Sequence, residues 1–234
     1  MSDTPRSFSA DLAAVEVQTT LLLETARSLD PGSVHHPSLC PGWTRGHVLT
    51  HVARNADAMV NLVMAVTTGE QIPMYASPEA RDGDIEVGAG RPISEQVADL
   101  EASAERWSRI SSSLREAHAG VRVEGRGGVM LRGGYLPFMR LREVVLHHVD
   151  LDAGFGFARV ESAVASRLLD DAVHRLRNNP ATPSMTIRTD EGDSWSIGDG
   201  QPTASGSRTA VLGWLTRGLT DGVAGNLPTL PFGG

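Results

Sequence analysis

A carboxylate and an imidazole four residues apart are the feature of this sequence that most directly indicates chemistry. Glu143 and His147 lie in the segment Met139–Asp152, which contains no Gly or Pro. Such a run predicts a helix, on which residues four apart share one face. A carboxylate and an imidazole stacked in this way can provide two of the ligands of a divalent metal, so a third must come from elsewhere.

The best candidate for that third ligand is His51, which ends the segment Gly42–His51. Two imidazoles and one carboxylate suit zinc, and three protein ligands leave one coordination position open for chemistry. His47 lies four residues before His51, and spacing alone does not choose between these two histidines. The simpler alternative is that all of these residues are ordinary polar positions of amphipathic helices.

Other polar residues near these segments are assigned more modest roles. His148 points about 100° away from His147 on a helix and is interpreted as structural. Asp150, three residues after His147, could orient a metal ligand or could simply be exposed. Cys40 lies before Pro41 in a loop, and no base is tied to it by spacing, so a bystander thiol is favoured over a nucleophile. No serine nucleophile elbow, phosphate-binding loop or dinucleotide fingerprint is present.

Four amphipathic helices are predicted in the first part of the chain, and together they indicate a four-helix bundle, a fold that builds metal sites from facing helices. A segment of 24 residues without a clear period, and a short hairpin, join them. The predicted ranges are helices at 9–29, 44–66 and 94–117, a fourth helix carrying Glu143 and His147, a long functional loop at 69–92 and a hairpin at 121–131.

The last third of the chain has a different character. A helical apolar stripe lies between Val164 and Leu176, two strands are expected at Met185–Thr189 and Ser194–Ile197, and a further helix at Ser207–Gly218. The tail, residues 227–234, reads as irregular. The predicted fold class is therefore α+β, with a bundle domain at residues 1–155 and a small C-terminal α/β domain at 156–234.

Composition narrows the class of protein. The chain has 234 residues, of which 40% are hydrophobic, one cysteine and no apolar run long enough to span a membrane. Its first six residues are polar and lack a signal-peptide core, so we expect a cytoplasmic location without a membrane partner. The net charge is −7 and no basic stripe is present, which argues against a nucleic-acid partner. An anionic substrate would have to be held by particular arginines.

Two segments carry a resemblance to a known family. Residues 39–57, Leu-Cys-Pro-Gly-Trp-Thr-Arg-Gly-His-Val-Leu-Thr-His-Val-Ala-Arg-Asn-Ala-Asp, resemble the opening motif of the mycothiol-dependent maleylpyruvate isomerases of the DinB-like superfamily. Residues 139–150 resemble their second motif. The segment 69–82 is similar to a loop of the isomerases themselves, and residues 206–217 are similar to the C-terminal helix with a small difference in length.

The resemblance implies a DinB-like bundle in which His51, Glu143 and His147 hold zinc or another divalent metal. It implies that the thiol of mycothiol takes the open metal position as thiolate and adds to the double bond of maleylpyruvate. Rotation and elimination would then give fumarylpyruvate, in gentisate breakdown. Because this substrate is a dianion, Arg81 is predicted to hold one carboxylate and Arg217 another.

Two alternatives remain open from the sequence. The protein could be another mycothiol- or bacillithiol-dependent S-transferase that acts on electrophiles, because the motifs at 39–57 and 139–150 are shared by mycothiol-linked relatives. It could also be a zinc-binding regulator without enzymatic activity. A free metal position together with an arginine in the loop favours catalysis.

Overall fold

A computed structural model describes residues 8–231, and the chain forms two compact units that meet in sequence between Phe155 and Gly156. The first unit contains five α-helices and a two-stranded hairpin. The second contains two α-helices and a four-stranded sheet. Both units mix helices and strands, which confirms the predicted α+β class.

Four long helices form the bundle of the first unit, and their apolar stripes meet in one core. Helix α2 packs on α4 and α5, and α1 packs on the same two helices. Their bounds are α1 Phe8–Arg27, α2 Arg45–Thr68, α4 Ile93–Ser111 and α5 Leu136–Asp150. The central core cluster is fully buried and comprises Leu22, Ala26, Val48, Leu49, Val52, Ala53, Leu100, Val144 and Leu151. Burial of such side chains contributes about 1.5–3 kcal/mol each.

The ends of α2 follow the local sequence. The Thr44 side chain accepts a hydrogen bond from the His47 backbone N–H, and Gly69 closes the helix in the left-handed conformation at φ 76°. The helix therefore begins where the sequence predicts and runs two residues further than expected. By contrast, α1 ends at Arg27, two residues before the predicted end at Leu29.

The segment predicted as a long loop contains a helix, which is a correction. Helix α3 spans Pro78–Ala89, with Ser77 as its N-cap and Pro78 in its first turn. Its two internal glycines, Gly83 and Gly88, make it look like a loop in sequence. The structure explains Gly88, because a Cβ there would lie 2.4 Å from the Thr50 side chain on α2. The absence of that Cβ lets α3 approach α2 closely.

The expected hairpin is present as β1 Arg122–Glu124 and β2 Met130–Arg132, which pair antiparallel. Helix α4 ends at Ser111, six residues before the predicted end, and a short 3₁₀ turn occupies Glu116–His118. The heptad pattern therefore overestimated the length of this helix.

The second unit packs two helices, α6 Ser162–Arg177 and α7 Arg208–Arg217, with a small sheet. Strands β3 Met185–Thr189 and β4 Ser194–Ile197 form the predicted hairpin. Strands β5 Thr203–Gly206 and β6 Val223–Gly225 were not predicted. They complete a sheet of order β4-β3-β5-β6, in which β3 and β5 are parallel.

Residues 227–231 are irregular, as expected, while 232–234 and the polar start of the chain lie outside the described residues. Among the residues that the structure describes, no helix is long and apolar enough to cross a membrane.

Candidate metal centre

Helices α2 and α5 bring the three predicted metal ligands together. His51 Nε2 lies 3.2 Å from Glu143 Oε2, and His147 Nε2 lies 3.6 Å from the same oxygen. The two imidazole rings meet edge to face with centroids 4.5 Å apart. The i, i+4 spacing places Glu143 and His147 on one face of α5, and packing of α2 supplies His51.

The separations of these donor atoms fit a divalent metal. One ligand atom from each of His51, Glu143 and His147 can be chosen so that all lie within 4.8 Å of one another. Zinc bonds of about 2.0–2.1 Å in a tetrahedron place neighbouring donors about 3.3 Å apart. The separations of 3.2 and 3.6 Å bracket that value. The donor set could therefore close on a metal with little movement.

Burial and mutual charge shift the pKa values of this cluster in different directions. Burial lowers the pKa of His51 to about 4, and the charge of His147 adds to the effect, while Glu143 opposes it. Burial alone would raise the pKa of Glu143, but hydrogen bonds from His147 and His51 outweigh it and hold that pKa well below its usual range. Glu143 is therefore ionised, and His51 is neutral, at pH 7.

A second carboxylate lies beside the other ring nitrogen of His147. Its Nδ1 lies 2.8 Å from Oδ2 of Asp150, which is completely buried. Burial would lower the pKa of His147, but Asp150, the Cys40 thiol and Glu143 together raise it well above its usual value. A carboxylate on the far nitrogen of a metal-binding histidine orients the ring and increases its basicity. Asp150 is therefore not the exposed residue that the sequence left possible.

Cys40 lies next to this pair. Its Sγ donates a hydrogen bond to Asp150 Oδ2 at 3.2 Å, and the backbone N–H of Leu39 donates to the Asp150 carbonyl at 2.9 Å. Cys40, His147 and Asp150 form a second group of three potential metal ligands that shares His147 with the first. No spacing in the sequence indicates this contact, because 110 residues separate Cys40 from Asp150.

Two further residues that the sequence analysis missed support Glu143. The Asn55 amide nitrogen lies 3.5 Å from Glu143 Oε2, and the Asn55 carbonyl oxygen accepts a hydrogen bond from Arg140 at 2.8 Å. Arg140 is 1% exposed and also donates to the Val52 carbonyl. Asn55 follows His51 by four residues, so the same spacing rule that paired Glu143 with His147 could have found it.

Arg81 on α3 reaches the donor set. Its Nη2 lies 3.3 Å from His51 Nδ1, its guanidinium lies over the Tyr75 ring, and its Nη1 contacts Asp82 at 2.5 Å. The side chain is 10% exposed, and its Nε is buried without a hydrogen-bond partner among the described residues. A buried donor of this kind costs free energy unless something pairs with it.

The surroundings of the remaining sequence candidates differ from one to the next. His47 belongs to the start of α2, where its Nδ1 contacts Thr44 and its Nε2 lies 3.4 Å from Glu86, so His51 rather than His47 joins the donor set. His148 is buried, contacts Thr25 and stacks on Phe155, as expected for a structural residue. Arg217 ends α7 in the second unit, where it donates to the Thr216 carbonyl at 2.8 Å.

Comparison with known proteins shows the family to which the chain belongs. A family model described as the mycothiol maleylpyruvate isomerase N-terminal domain matches residues 15–152. Two similar solved structures are the crystal structure of the mycothiol-dependent maleylpyruvate isomerase, at 26% identity, and that of a histidine-to-alanine mutant, at 25%. Each has a TM-score of 0.89 and covers 97% of both chains. No curated protein matches. Because the matched region includes more than half of the chain, this protein belongs to the mycothiol maleylpyruvate isomerase family.

Proposed function

We propose that this protein is an enzyme that isomerises maleylpyruvate to fumarylpyruvate and depends on mycothiol. Three things support the proposal: membership of the family, similarity along almost the whole chain to a solved isomerase of that name, and a buried three-ligand centre with an arginine beside it. The observation that carries it is the contact between Arg81 and His51, because a cation beside the candidate metal ligands could hold an anionic substrate.

In this proposal His51, Glu143 and His147 hold zinc. Three protein ligands are typical of a catalytic zinc, which keeps a position open. The bound metal and mycothiol together would supply a thiolate that can add to a conjugated double bond and leave again, which permits rotation about that bond. Asp150 holds the His147 ring in place, and Asn55 holds the Glu143 carboxylate.

The role of Arg81 follows from the hydrogen-bonding capacity of His51. As a metal ligand through Nε2, a neutral His51 carries its proton on Nδ1, and that nitrogen can no longer accept a hydrogen bond from Arg81. The guanidinium would then direct its N–H groups, including the buried Nε–H, to another acceptor. A substrate carboxylate provides such an acceptor, with two oxygens that match the guanidinium fork.

Tyr75 is a further hydrogen-bond donor at this position. Burial raises the pKa of its hydroxyl, against the opposing charge of Arg81, so the phenol stays protonated. It interacts with both Arg81 and Asn55. A protonated phenol and a guanidinium are suited to stabilise the enolate-like charge that develops on the substrate during addition. The other substrate carboxylate needs a second cation, for which Arg217, predicted from the sequence, is one candidate and Arg142, which precedes Glu143 on α5, is another.

The test is an assay of the purified, zinc-loaded protein on maleylpyruvate with and without mycothiol. We expect fumarylpyruvate to form only when the thiol is present. Thiol-dependent consumption of other electrophiles without any turnover of maleylpyruvate would instead indicate an S-transferase. A protein that binds zinc tightly and has no thiol-dependent activity would favour the regulator.

A further inference from the structure

We infer that Arg142 forms a second carboxylate-binding position at this centre, beside Glu143, whereas Arg81 lies beside His51. The inference rests on the proposed function and identifies how a dicarboxylate is selected. Arg142 lies on α5 directly before Glu143, and its side chain is 16% exposed. No role for this residue follows from the motif spacing, which identified only Glu143 and His147.

The contacts of Arg142 place it beside the metal centre. Its Nη2 lies 3.4 Å from Glu143 Oε1, and its Nη1 lies 3.2 Å from the Tyr135 hydroxyl. The other oxygen of the same carboxylate, Oε2, faces His51 and His147. Arg142 therefore approaches the outer oxygen of Glu143, while the inner oxygen belongs to the donor set.

Arg81 occupies the equivalent position on the other ligand. It contacts His51 through Nδ1, the nitrogen that faces away from the donor set, just as Arg142 contacts the outer oxygen of Glu143. Each arginine is accompanied by a tyrosine, Tyr75 for Arg81 and Tyr135 for Arg142. Two guanidinium groups thus contact two different members of the donor set, and together they could bind a substrate that carries a carboxylate at each end.

The third arginine of this region does not serve this purpose. Arg140 is 1% exposed and is directed to Val52 and Asn55, so it supports the α2–α5 contact rather than a ligand. The side chain of Arg142 is 16% exposed, and its Nη2 lies 3.4 Å from Glu143 Oε1. A bidentate contact with a substrate carboxylate would be shorter, at about 2.7–2.9 Å, and roughly twice as strong as a neutral hydrogen bond.

The experiment measures binding of two unreactive acids to zinc-loaded protein by calorimetry. Heptanedioate carries a carboxylate at each end of a seven-carbon chain, and heptanoate carries only one. Wild type should prefer heptanedioate by about tenfold or more. In Arg142→Gln, affinity for heptanedioate should fall about tenfold to a hundredfold, whereas heptanoate, which can still use Arg81, should change by less than about threefold. Arg142→Lys should recover part of the preference, because lysine keeps the charge but not the fork.

A control variant, Arg27→Gln, removes one positive charge from an exposed pair with Glu101 and should bind both acids like wild type. Zinc content is measured for every variant. An Arg142→Gln protein that keeps its zinc and the wild-type preference for the diacid would overturn the inference. A loss of zinc and of both acids together would also overturn it, because Arg142 would then merely support Glu143.

These outcomes are independent of the proposed isomerase activity. Binding of the two acids requires neither mycothiol nor turnover. If Arg142→Gln loses the preference while the wild type fails to isomerise maleylpyruvate, the second carboxylate position stands and the proposed reaction fails. If the wild type isomerises maleylpyruvate while Arg142→Gln retains the preference, the proposed reaction stands and the second carboxylate position fails.

Discussion

Helix α2 contributes to two clusters of charged residues that differ in almost every respect. One is the metal centre, where His51 and its partners surround a single carboxylate and are largely buried. The other is an ion-pair network toward α4, whose side chains are 17–39% exposed and alternate in sign. Its members are Arg54, Asp57, Arg91, Asp99 and Arg106.

The two clusters differ in how the charges of their side chains are compensated. In the network, arginines and aspartates alternate, so their charges compensate one another within the folded chain. In the centre, two histidines compete for Glu143, the pKa of His51 is lowered to about 4 and that of His147 is raised. Buried ionisable groups in this arrangement cost stability unless a ligand compensates them. The charges of the network are therefore balanced within the fold, whereas those of the donor set are those of a candidate metal site.

The largest effect is expected from removal of a ligand in the centre. His51→Ala, Glu143→Ala and His147→Ala should each weaken zinc binding roughly a hundredfold to a thousandfold, because each removes one of three protein ligands. The chain should remain folded, since the bundle core is separate from these side chains. Metal analysis and circular dichroism of the purified variants test this. Full zinc occupancy in any variant would remove that residue from the ligand set.

Arg81 sharpens the comparison, because it is a charged residue of the centre that is not a ligand. Arg81→Ala should lower kcat/KM about tenfold to a hundredfold, the loss expected for one charged hydrogen bond of about 1.5–3 kcal/mol. Zinc content and thermal stability should stay near wild type. Arg81→Lys should recover only part of the activity. A fully active Arg81→Ala, or one that unfolds or loses zinc, would contradict the assignment.

The opposite pKa shifts of the two histidines predict how zinc binding depends on pH. His147 has a raised pKa and is protonated near pH 7 in the metal-free protein, whereas His51 is already neutral. Binding at pH 7 should therefore release about one proton, and affinity should fall about tenfold per pH unit as the pH decreases. Below about pH 4, His51 also becomes protonated and the fall steepens. Calorimetry in buffers of different ionisation enthalpy counts the protons, and a count of zero would refute this picture.

A substitution in the surface network should affect stability slightly and leave zinc binding and activity unchanged. Arg106 contacts Asp57 through Nε at 2.8 Å and Nη2 at 2.7 Å, and its side chain is 39% exposed. Arg106→Ala should reduce the free energy of unfolding by under about 1 kcal/mol, since exposed pairs are screened. Zinc content and kcat/KM should be unchanged. Denaturant unfolding measures the first quantity, and a loss of zinc would show that the two clusters are coupled.

The smallest effect is expected at Cys40, although it contacts the centre. Cys40→Ser keeps a donor for Asp150 and should retain zinc and thiol-dependent turnover within about twofold, because a hydroxyl can replace the thiol in that hydrogen bond. Loss of turnover in Cys40→Ser with zinc in place would mean that the nucleophile belongs to the chain rather than to mycothiol.

Much of the bundle could be predicted because its signals are local. Apolar residues at helical spacing indicated α1, α2 and α4, a run without Gly or Pro indicated α5, and Thr44 and Gly69 marked the ends of α2. The donor pair on α5 followed from the same period. Helix α3 was missed because its glycines resemble loop residues, and Gly88 is explained only by the Thr50 side chain it faces. Strands β5 and β6 were missed because each is short and is defined by pairing rather than by composition.

The sequence by itself determined which residues can share a helix face, and so it determined the pair Glu143 and His147 and the choice of His47 or His51 as their partner. Only the tertiary structure identified His51 rather than His47 as the third member, because the packing of α2 on α5 selects which turn of α2 faces Glu143 and His147. It also placed Cys40, Asp150 and Arg142 around the centre. Contacts between residues far apart in the chain depend on how helices pack, and local spacing carries no information about that packing.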